Sequence, residues 1–249
     1  MPVTSERRGR VLIARLDRPE KRNAMNGEMT LGLDALMNEL EDDPELWVGI
    51  LAGAEGVFSA GSDLKDGLNN STERGGPYGV VRRQRVKPLI AAVDGLAFGG
   101  GFEMVLACDL VVASRAASFA LPEVKRGVFA LYGGPRRAAH ALPLNIAREL
   151  ALTGEALSAE RAERLGLVNV LCEPGRALDE ALALAGRICA NSPISVRESL
   201  RAINEPLEAD DALAWEISAE AAKTVRASED TREGIAAFFE KRKPEWKGR

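Results

Sequence analysis

Two glycine-rich turns constrain the fold of this chain most strongly, because each follows an apolar, strand-like run and leads into a helix-like stretch. They occupy residues 58–65 (FSAGSDLK) and 98–103 (FGGGFE). Glycine lets the backbone approach a ligand closely, and the first N–H groups of a helix have no partner within it. Each turn can therefore donate hydrogen bonds to negative charge. Together, the two turns predict a site that holds one oxyanion.

Two carboxylic acids lie close to these turns in the sequence. Glu103 ends the second turn, and Glu123 follows a proline in Leu121-Pro122-Glu123. Each acid alone has a structural explanation, since the N-terminal dipole of a helix stabilises a carboxylate in its first turn. Asp63 likewise suits a helix cap. Oxyanion donors combined with two carboxyls nevertheless favour acid–base chemistry beside a carbonyl group.

Short apolar runs alternate with helical patterns and predict an α/β core. Runs rich in β-branched residues indicate buried strands at 11–16, 48–51, 89–93 and 110–113. Apolar residues at helical spacing indicate helices at 28–40 and 102–107. After residues 173–175 (EPG) the patterns are helical only, at 177–190, 194–203, 209–228 and 233–241. We therefore predict a core over residues 1–190 and a helical C-terminal region over residues 191–249.

The segment 66–83 differs from its surroundings in composition. It is rich in glycine, asparagine, serine and charged residues, with Gly75-Gly76-Pro77 at its centre. Such a composition is typical of a surface connection. We predict a mobile loop that lies over the site.

Charge and cysteine content narrow the class of ligand and the compartment. A net charge of −4 and a pI near 5.4 argue against broad attraction to nucleic acid or to an anionic membrane. The three cysteines are far apart and lack metal-ligand spacing, so we expect reduced thiols in a cytoplasmic protein. We expect no secretory leader and no membrane span, because no apolar run reaches the roughly 18 residues that a membrane helix needs.

Several other kinds of site are not expected. His140 is the only histidine, and its position before Ala-Leu-Pro predicts a role at a helix end rather than in chemistry. Neither glycine-rich turn fits the dinucleotide fingerprint, and no phosphate-loop ending is present, so NAD and ATP are not expected. Ser59 lies in a G-x-x-S-x-G pattern, which differs from the G-x-S-x-G spacing of nucleophilic serines.

Four separated segments carry a resemblance to a known family. Residues 18–26 (RPEKRNAMN) look like an early coenzyme A segment, and residues 58–65 look like an A-G-x-D oxyanion turn. Residues 91–110 contain G-G-G-x-E-x-x-x-x-C-D, and residues 233–243 match the family's ending. The chain thus resembles the enoyl-CoA hydratase/isomerase family, or crotonase superfamily. This resemblance implies a spiral core of repeated ββα units, an acyl-CoA thioester as ligand, and homotrimers or hexamers, with residues 191–249 as the helical oligomerisation region.

The resemblance also implies roles for individual residues. By their motif positions, the backbone N–H groups of Ser62 and Gly100 form the oxyanion hole. Glu103 and Glu123 match the two carboxyls of hydratases. The implied substrate- and coenzyme A-binding residues are Lys21, Arg22, Ala24, Ala60, Lys65, Leu131, Phe238 and Lys241. The last two match positions that reach coenzyme A at a neighbouring subunit.

One position departs from the hydratase pattern. Eight residues after the second carboxyl, hydratases carry glycine within P-G-x-G-G near the reacting water. This chain has Leu131 within residues 130–134 (ALYGG). We expect the side chains of Leu131 and Tyr132 to narrow the pocket or to redirect the water.

The resemblance implies a hydratase reaction in which water adds to C3 of a 2-enoyl thioester. Glu103 takes a proton from the water while Glu123 donates one to C2, so one carboxyl begins protonated. No metal or separate cofactor is expected, because coenzyme A is part of the substrate.

Two alternatives remain open within the family: double-bond isomerisation, and dehydration of a specialised hydroxyacyl thioester of the carnitinyl type. A non-catalytic RNA-binding relative is a third alternative, against which the acidic pI argues.

Overall fold

A computed structural model describes residues 2–66, 70–208 and 211–246 of the chain. In chain order, the strands are β1 (Val3–Arg8), β2 (Val11–Leu16), β3 (Val48–Gly53), β4 (Ser71–Thr72), β5 (Gly76–Pro77), β6 (Leu89–Val93), β7 (Leu96–Phe98), β8 (Leu110–Ser114), β9 (Ser118–Ala120), β10 (Leu157–Ser158) and β11 (Val170–Cys172). The α-helices are α1 (Gly27–Asp42), α2 (Gly100–Leu106), α3 (Gly134–Ala141), α4 (Leu144–Thr153), α5 (Ala159–Arg164), α6 (Ala177–Cys189), α7 (Pro193–Glu208), α8 (Asp211–Ala227) and α9 (Glu229–Glu240). Two 3-10 helices span Pro19–Lys21 and Pro122–Arg126.

The main sheet has six strands in the order β1-β2-β3-β6-β8-β11. β1 and β2 pair antiparallel, and all other neighbours are parallel. β3 and β6 are apolar throughout because both faces of the sheet are covered. Ile50 and Ile90 pack on the face covered by α6, whereas Leu51 and Ala91 join the larger apolar cluster on the other face. The buried residues of α6 are all alanine, which lets this helix lie close to the sheet.

A smaller sheet repeats the path of the larger one and gives the fold its ββα units. Its order is β10-β9-β7, with β7 and β9 parallel. The chain passes from β6 in the main sheet to β7 in the small sheet and then into α2. It passes next from β8 to β9 and into the 3-10 helix at 122–126. This repetition agrees with the predicted spiral core.

Three helices, α7 to α9, follow the core, as the sequence predicts. The predicted boundary after residue 190 falls in the connection between α6 and α7. Residues 209 and 210, and the last three residues of the region, lie outside the described part of the chain. The role of these helices in oligomerisation stays a prediction. Across the described ranges, no helix combines the length and apolar character needed to cross a membrane.

The strands that the sequence analysis missed are short or polar. β1 exposes five of its six residues and therefore lacks an apolar run. β7, β9 and β11 contain three residues each, and β10 contains two, which is too few for a periodic pattern. The four strands that the sequence does predict are present with at most two additional residues at one end.

The described part of segment 66–83 differs from the predicted mobile loop. Tyr78, Val80 and Val81 are buried in the main apolar cluster. The buried Arg83 donates hydrogen bonds to Asn38 and Asp34 on α1. Polar side chains within residues 70–83 thus bind this segment to α1. Through Tyr78, the segment forms a wall of the site described below. Residues 67–69 lie outside the described part.

Candidate active site

Three neighbouring extended segments end at one edge of the small sheet and carry the predicted site residues. Ser59 pairs in parallel with Ala97 of β7, and β7 pairs in parallel with β9. The N–H of Phe98 donates to the carbonyl of Ser59 at 2.9 Å, which fixes the register. Parallel segments bring their carboxyl ends to the same edge. The turns after Ser59, β7 and β9 therefore meet, and they carry Ser62, Gly100 and Glu123.

The two glycine-rich turns contact each other directly. Gly61 has a φ of +90° and Gly99 a φ of +55°, which favour glycine. A Cβ on Gly61 would lie 2.8 Å from the Gly100 nitrogen, so any side chain would separate the turns. The N–H groups of Ser62 and Gly100 donate to no acceptor among the described residues. Two free donors thus lie at the positions predicted for the oxyanion hole.

Glu103 lies in the first turn of α2 and is held by the start of α3. Its Oε1 accepts hydrogen bonds from the backbone N–H of Tyr132 at 2.8 Å and of Gly134 at 2.9 Å. A Cβ on Gly134 would lie only 3.0 Å from that oxygen, so glycine lets the helix end approach the carboxyl. Glu103 is 2% exposed. The two N–H donors stabilise its ionised form.

Glu123 lies in the first turn of the 3-10 helix at 122–126 and against the second glycine-rich turn. A Cβ on Gly99 would lie 3.0 Å from Glu123 Oε1. The Oε2 atom is buried and has no hydrogen-bond partner among the described residues. A buried carboxyl oxygen without a partner favours the protonated acid, and it leaves one oxygen available to a ligand.

Burial raises the pKa of both carboxyls above the ordinary range of a glutamate. For Glu103, the nearby charge of Glu123 raises the pKa further, and the N–H groups of Gly134 and Tyr132 oppose this rise. Two interacting carboxyls in a low-dielectric site titrate as a pair. The pair therefore shares one proton near neutral pH: the two donors on Glu103 favour its anion, and the buried Glu123 Oε2, which has no hydrogen-bond partner among the described residues, favours the acid of Glu123.

A cavity of about 520 Å³ joins these groups and contains all the predicted site residues except Lys241. The predicted residues that line it are Lys21, Arg22, Ala24, Ala60, Ser62, Lys65, Gly100, Glu103, Glu123, Leu131 and Phe238. Lys241 instead caps the C-terminus of α9 with a φ of +55° and is exposed. Phe238 lines the cavity of its own chain. It can therefore contact a ligand there without reaching the site of a neighbouring subunit.

Further residues line the cavity, and among them only Tyr132 was expected there from the sequence. Tyr78 and Tyr132 form an edge-to-face pair with ring centroids 5.0 Å apart, and both line the cavity. Arg126 stacks on the ring of Phe238 at 5.0 Å. Helices α8 and α9 add Ala222, Val225, Arg226, Ile235 and Phe239. The sequence predicted helices in this region, but the contacts of these residues with the cavity depend on how the C-terminal helices fold back.

Leu131 and His140 lie where the sequence analysis placed them. Leu131 is half-buried, lines the cavity and does not have a positive φ, so its backbone adopts an ordinary conformation. The residue with a positive φ in this turn is Gly133, at +89°, a conformation that favours glycine. His140 lies in the last turn of α3 and is exposed. Across the described ranges, no three His, Cys, Asp or Glu side chains are grouped as metal ligands.

Comparison with known proteins agrees with this arrangement. The family model of enoyl-CoA hydratase/isomerase matches residues 6–249. The chain belongs to this family. Members include a mevalonyl-coenzyme A hydratase of Aspergillus fumigatus, which is 40% identical over 95% of this chain and 91% of its own length. A short-chain-enoyl-CoA hydratase of Clostridium acetobutylicum is 35% identical over 98% of this chain and 96% of its own length.

Solved structures of the family confirm the fold. A carnitinyl-CoA hydratase from Mycobacterium avium superposes with a TM-score of 0.95 at 42% identity, covering 100% of this chain and 99% of that one. An enoyl-CoA hydratase from Mycobacterium tuberculosis gives a TM-score of 0.81 at 45% identity, with 100% and 99% coverage. The predicted α/β fold of the crotonase type, with a spiral core and a helical C-terminal region, is therefore confirmed.

Proposed function

We propose that this protein is an enoyl-CoA hydratase that adds water reversibly to a 2-enoyl-CoA and forms a 3-hydroxyacyl-CoA. The observation that carries the proposal is the pairing of two buried carboxyls with two free backbone donors in one cavity. The hydratase names of relatives over nearly the whole chain support the same reaction.

The first step polarises the thioester. The N–H groups of Ser62 and Gly100 donate to the carbonyl oxygen, on which negative charge grows as water attacks C3. Because the donors are fixed by the contact between the two turns, they need no reorganisation during the reaction. Each such donor typically contributes about 3 kcal/mol to the stabilisation of an oxyanion.

The two carboxyls then complete the addition. Glu103 is the base that removes a proton from water, since two N–H donors stabilise its anion. The oxygen of the water forms a bond to C3 as the C2–C3 double bond opens to an enolate. Glu123 is the acid that donates its proton to C2 and collapses the enolate. The reverse reaction dehydrates the 3-hydroxyacyl thioester and restores the starting protonation.

The cavity mouth suits the coenzyme A moiety. Lys21, Arg22 and Lys65 are exposed at its edge and offer positive charge to phosphates, although the whole chain is acidic. The exposed ring of Phe238 offers an apolar surface beside Arg126.

We further propose a homotrimeric or hexameric assembly in the cytoplasm, without nucleic-acid or membrane partners. Size measurement at micromolar concentration tests the assembly, and a stable monomer would contradict it.

A second candidate is the dehydration of a specialised, polar hydroxyacyl thioester. Leu131 replaces the usual glycine beside the expected water, and the hydroxyls of Ser62 and Tyr78 add polar groups to the cavity. Relatives include proteins named carnitinyl-CoA hydratase and carnitinyl-CoA dehydratase. This candidate uses the same proton transfers in the reverse direction. It differs from the first in its preferred acyl group.

A panel of thioesters tests the proposed function. Crotonyl, branched, long-chain, aromatic and hydroxylated 2-enoyl-CoA substrates are incubated with the protein, and the products are separated by mass and retention. We expect 3-hydroxyacyl products for at least one member, and their loss in Glu103→Gln and Glu123→Gln. Movement of the double bond without water addition would establish an isomerase instead. Salt-sensitive RNA binding in a protein that converts no thioester would favour the non-catalytic alternative.

A further inference from the structure

A pair of hydroxyl groups lies beside the proposed oxyanion hole. The hydroxyl of Ser62 and the phenol of Tyr78 are 2.6 Å apart, within hydrogen-bond distance. Ser62 belongs to the first glycine-rich turn, and Tyr78 comes from the wall segment over residues 70–83. Both residues line the cavity that contains Glu103 and Glu123.

The phenol touches both turns that form the hole. In addition to its contact with Ser62, the hydroxyl oxygen lies against the Cα of Gly100, so that a Cβ on this glycine would collide with the phenol oxygen and the ring. Gly100 therefore leaves space for the phenol as well as providing a backbone donor. The Tyr78 hydroxyl thus lies between the two residues whose N–H groups face the proposed thioester oxygen.

The fold holds Tyr78 in this place at a local energetic cost. Its φ is +55°, which is unfavourable for a bulky residue and typically costs about 1–3 kcal/mol. Its N–H donates to the carbonyl of Asn70 at 2.8 Å, and its ring packs edge to face on Tyr132. The side chain is 1% exposed. A strained backbone that is held this firmly is typical of a functional position.

The pair has one hydrogen left to donate. Each hydroxyl carries one hydrogen, and only one of the two lies between Ser62 and Tyr78. Among the described residues, neither hydroxyl has another hydrogen-bond partner. Burial and the nearby charge of Glu103 raise the pKa of Tyr78 well above its ordinary value, so the phenol stays protonated. If Ser62 donates to the phenol oxygen, the phenol hydrogen is free to point into the cavity.

We propose that Tyr78 is a catalytic residue whose phenol donates a third hydrogen bond to the thioester oxygen, beside the N–H groups of Ser62 and Gly100. This inference rests on the proposed function. The Ser62 hydroxyl does not contact the thioester oxygen in this arrangement. It orients the phenol by donating a hydrogen bond to the phenol oxygen. The third donor acts on the charge that develops in the transition state, and it therefore affects kcat more than KM.

Two substitutions that break the same hydrogen bond separate this role from a structural one. Tyr78→Phe removes the phenol donor, and Ser62→Ala removes only its partner while the backbone N–H remains. We expect Tyr78→Phe to lower kcat by about 10²-fold with little change in KM, as for loss of an oxyanion donor. We expect a loss of only a few-fold for Ser62→Ala, the range of one neutral hydrogen bond. Equal losses in the two variants would overturn the proposal.

The chemistry of the acyl group provides a second test. Because every substrate carries the thioester oxygen, Tyr78→Phe should lower kcat by the same factor for crotonyl-CoA and for 4-hydroxycrotonyl-CoA. A loss confined to the hydroxylated substrate would show that the phenol binds a substituent of the acyl chain, and the proposal would be wrong.

An equilibrium measurement tests the third hydrogen bond independently of the hydration reaction. Bound 3-oxobutanoyl-CoA ionises at C2 to an enolate, which its near-ultraviolet absorption reports, without water addition. We expect the ligand bound to Tyr78→Phe to need a pH about one to two units higher to ionise than the ligand bound to the wild type. Ionisation at the same pH in both would contradict the third donor. If the wild type ionises this ligand but hydrates no enoyl thioester, the proposed reaction fails while the comparison at Tyr78 still stands.

Discussion

The inner end and the mouth of the cavity are built in different ways. At the inner end, Glu103 and Gly100 are buried, and their surroundings approach so closely that a single added Cβ on Gly61, Gly100 or Gly134 would displace a neighbour. At the mouth, Lys65 and Phe238 are exposed. In the proposed reaction, the packed core therefore fixes the positions of the reacting groups, whereas binding of the large, charged end of the ligand relies on separate surface side chains.

The largest effects are expected at the inner end. Glu103→Gln and Glu123→Gln should each lower kcat by about 10²-fold or more, because each removes a proton-transfer group but keeps the shape of the side chain. The double variant should lose less than the product of the two losses, since both groups act in one step. Steady-state kinetics on the best substrate measures this, and circular dichroism checks the fold. Near-normal turnover in either variant would remove that carboxyl from the mechanism.

Substitutions at the mouth should weaken binding and spare the chemical step. Lys65→Ala and Arg22→Ala should raise KM several-fold at nearly constant kcat, since phosphate contacts contribute equally to substrate and transition state. Lys223→Ala is a matched control, because Lys223 is exposed on α8 and does not line the cavity. An unchanged KM in both Lys65→Ala and Arg22→Ala would show that coenzyme A does not follow this edge.

Lys241 gives a separate test of the mouth. Because it lies outside the cavity of its own chain, Lys241→Ala should leave KM unchanged if each subunit binds coenzyme A alone. A raised KM would show that this lysine acts in the site of a neighbouring subunit, as the family resemblance implies. The same kinetic assay measures it, with subunit assembly checked by size.

Leu131 lines the cavity and should affect selectivity for the acyl group. Leu131→Gly removes a half-buried side chain from the cavity wall. We expect the ratio of kcat/KM for a bulky enoyl thioester over crotonyl-CoA to rise by about 10-fold, the range of a small change in pocket volume, even if absolute activity falls. A folded variant with an unchanged ratio would show that Leu131 does not limit the acyl group.

The smallest expected effect concerns stability at the inner end. The folded protein raises the pKa of Glu123. The free energy of unfolding of the wild type therefore falls as the pH rises through the folded-state pKa of Glu123. Below the pKa that Glu123 has in the unfolded chain, this destabilisation is absent. Glu123→Gln carries no charge and should be more stable than the wild type by on the order of 1–3 kcal/mol at about pH 9, and by less at about pH 5. Denaturant unfolding of both proteins at the two pH values measures this difference in the free energy of unfolding. A difference that does not change with pH would contradict the ionisation of a buried Glu123.

Local sequence patterns predicted the elements that carry the chemistry. The two turns, Glu103 and Glu123 could be found because glycine and acidic residues at strand ends leave a clear pattern. Tyr78 could not, since its segment is polar and its burial depends on bonds to α1 that are distant in sequence. Apart from Phe238, the residues of α8 and α9 that line the cavity were also missed, because these contacts depend on how the C-terminal helices fold back on the core. Lys241 was assigned by motif position, and motif position does not determine which subunit a side chain reaches.

In the proposed reaction, Glu103 and Glu123 together add water across the C2–C3 bond. This reaction is tested most directly by incubating crotonyl-CoA with the protein in deuterated water and analysing the product by mass spectrometry. We expect 3-hydroxybutanoyl-CoA that carries one non-exchangeable deuterium at C2, formed by the wild type and nearly abolished in Glu123→Gln. Deuterium incorporation with a displaced double bond and no added hydroxyl, or the labelled hydroxy product at an unchanged rate from Glu123→Gln, would contradict the proposed reaction.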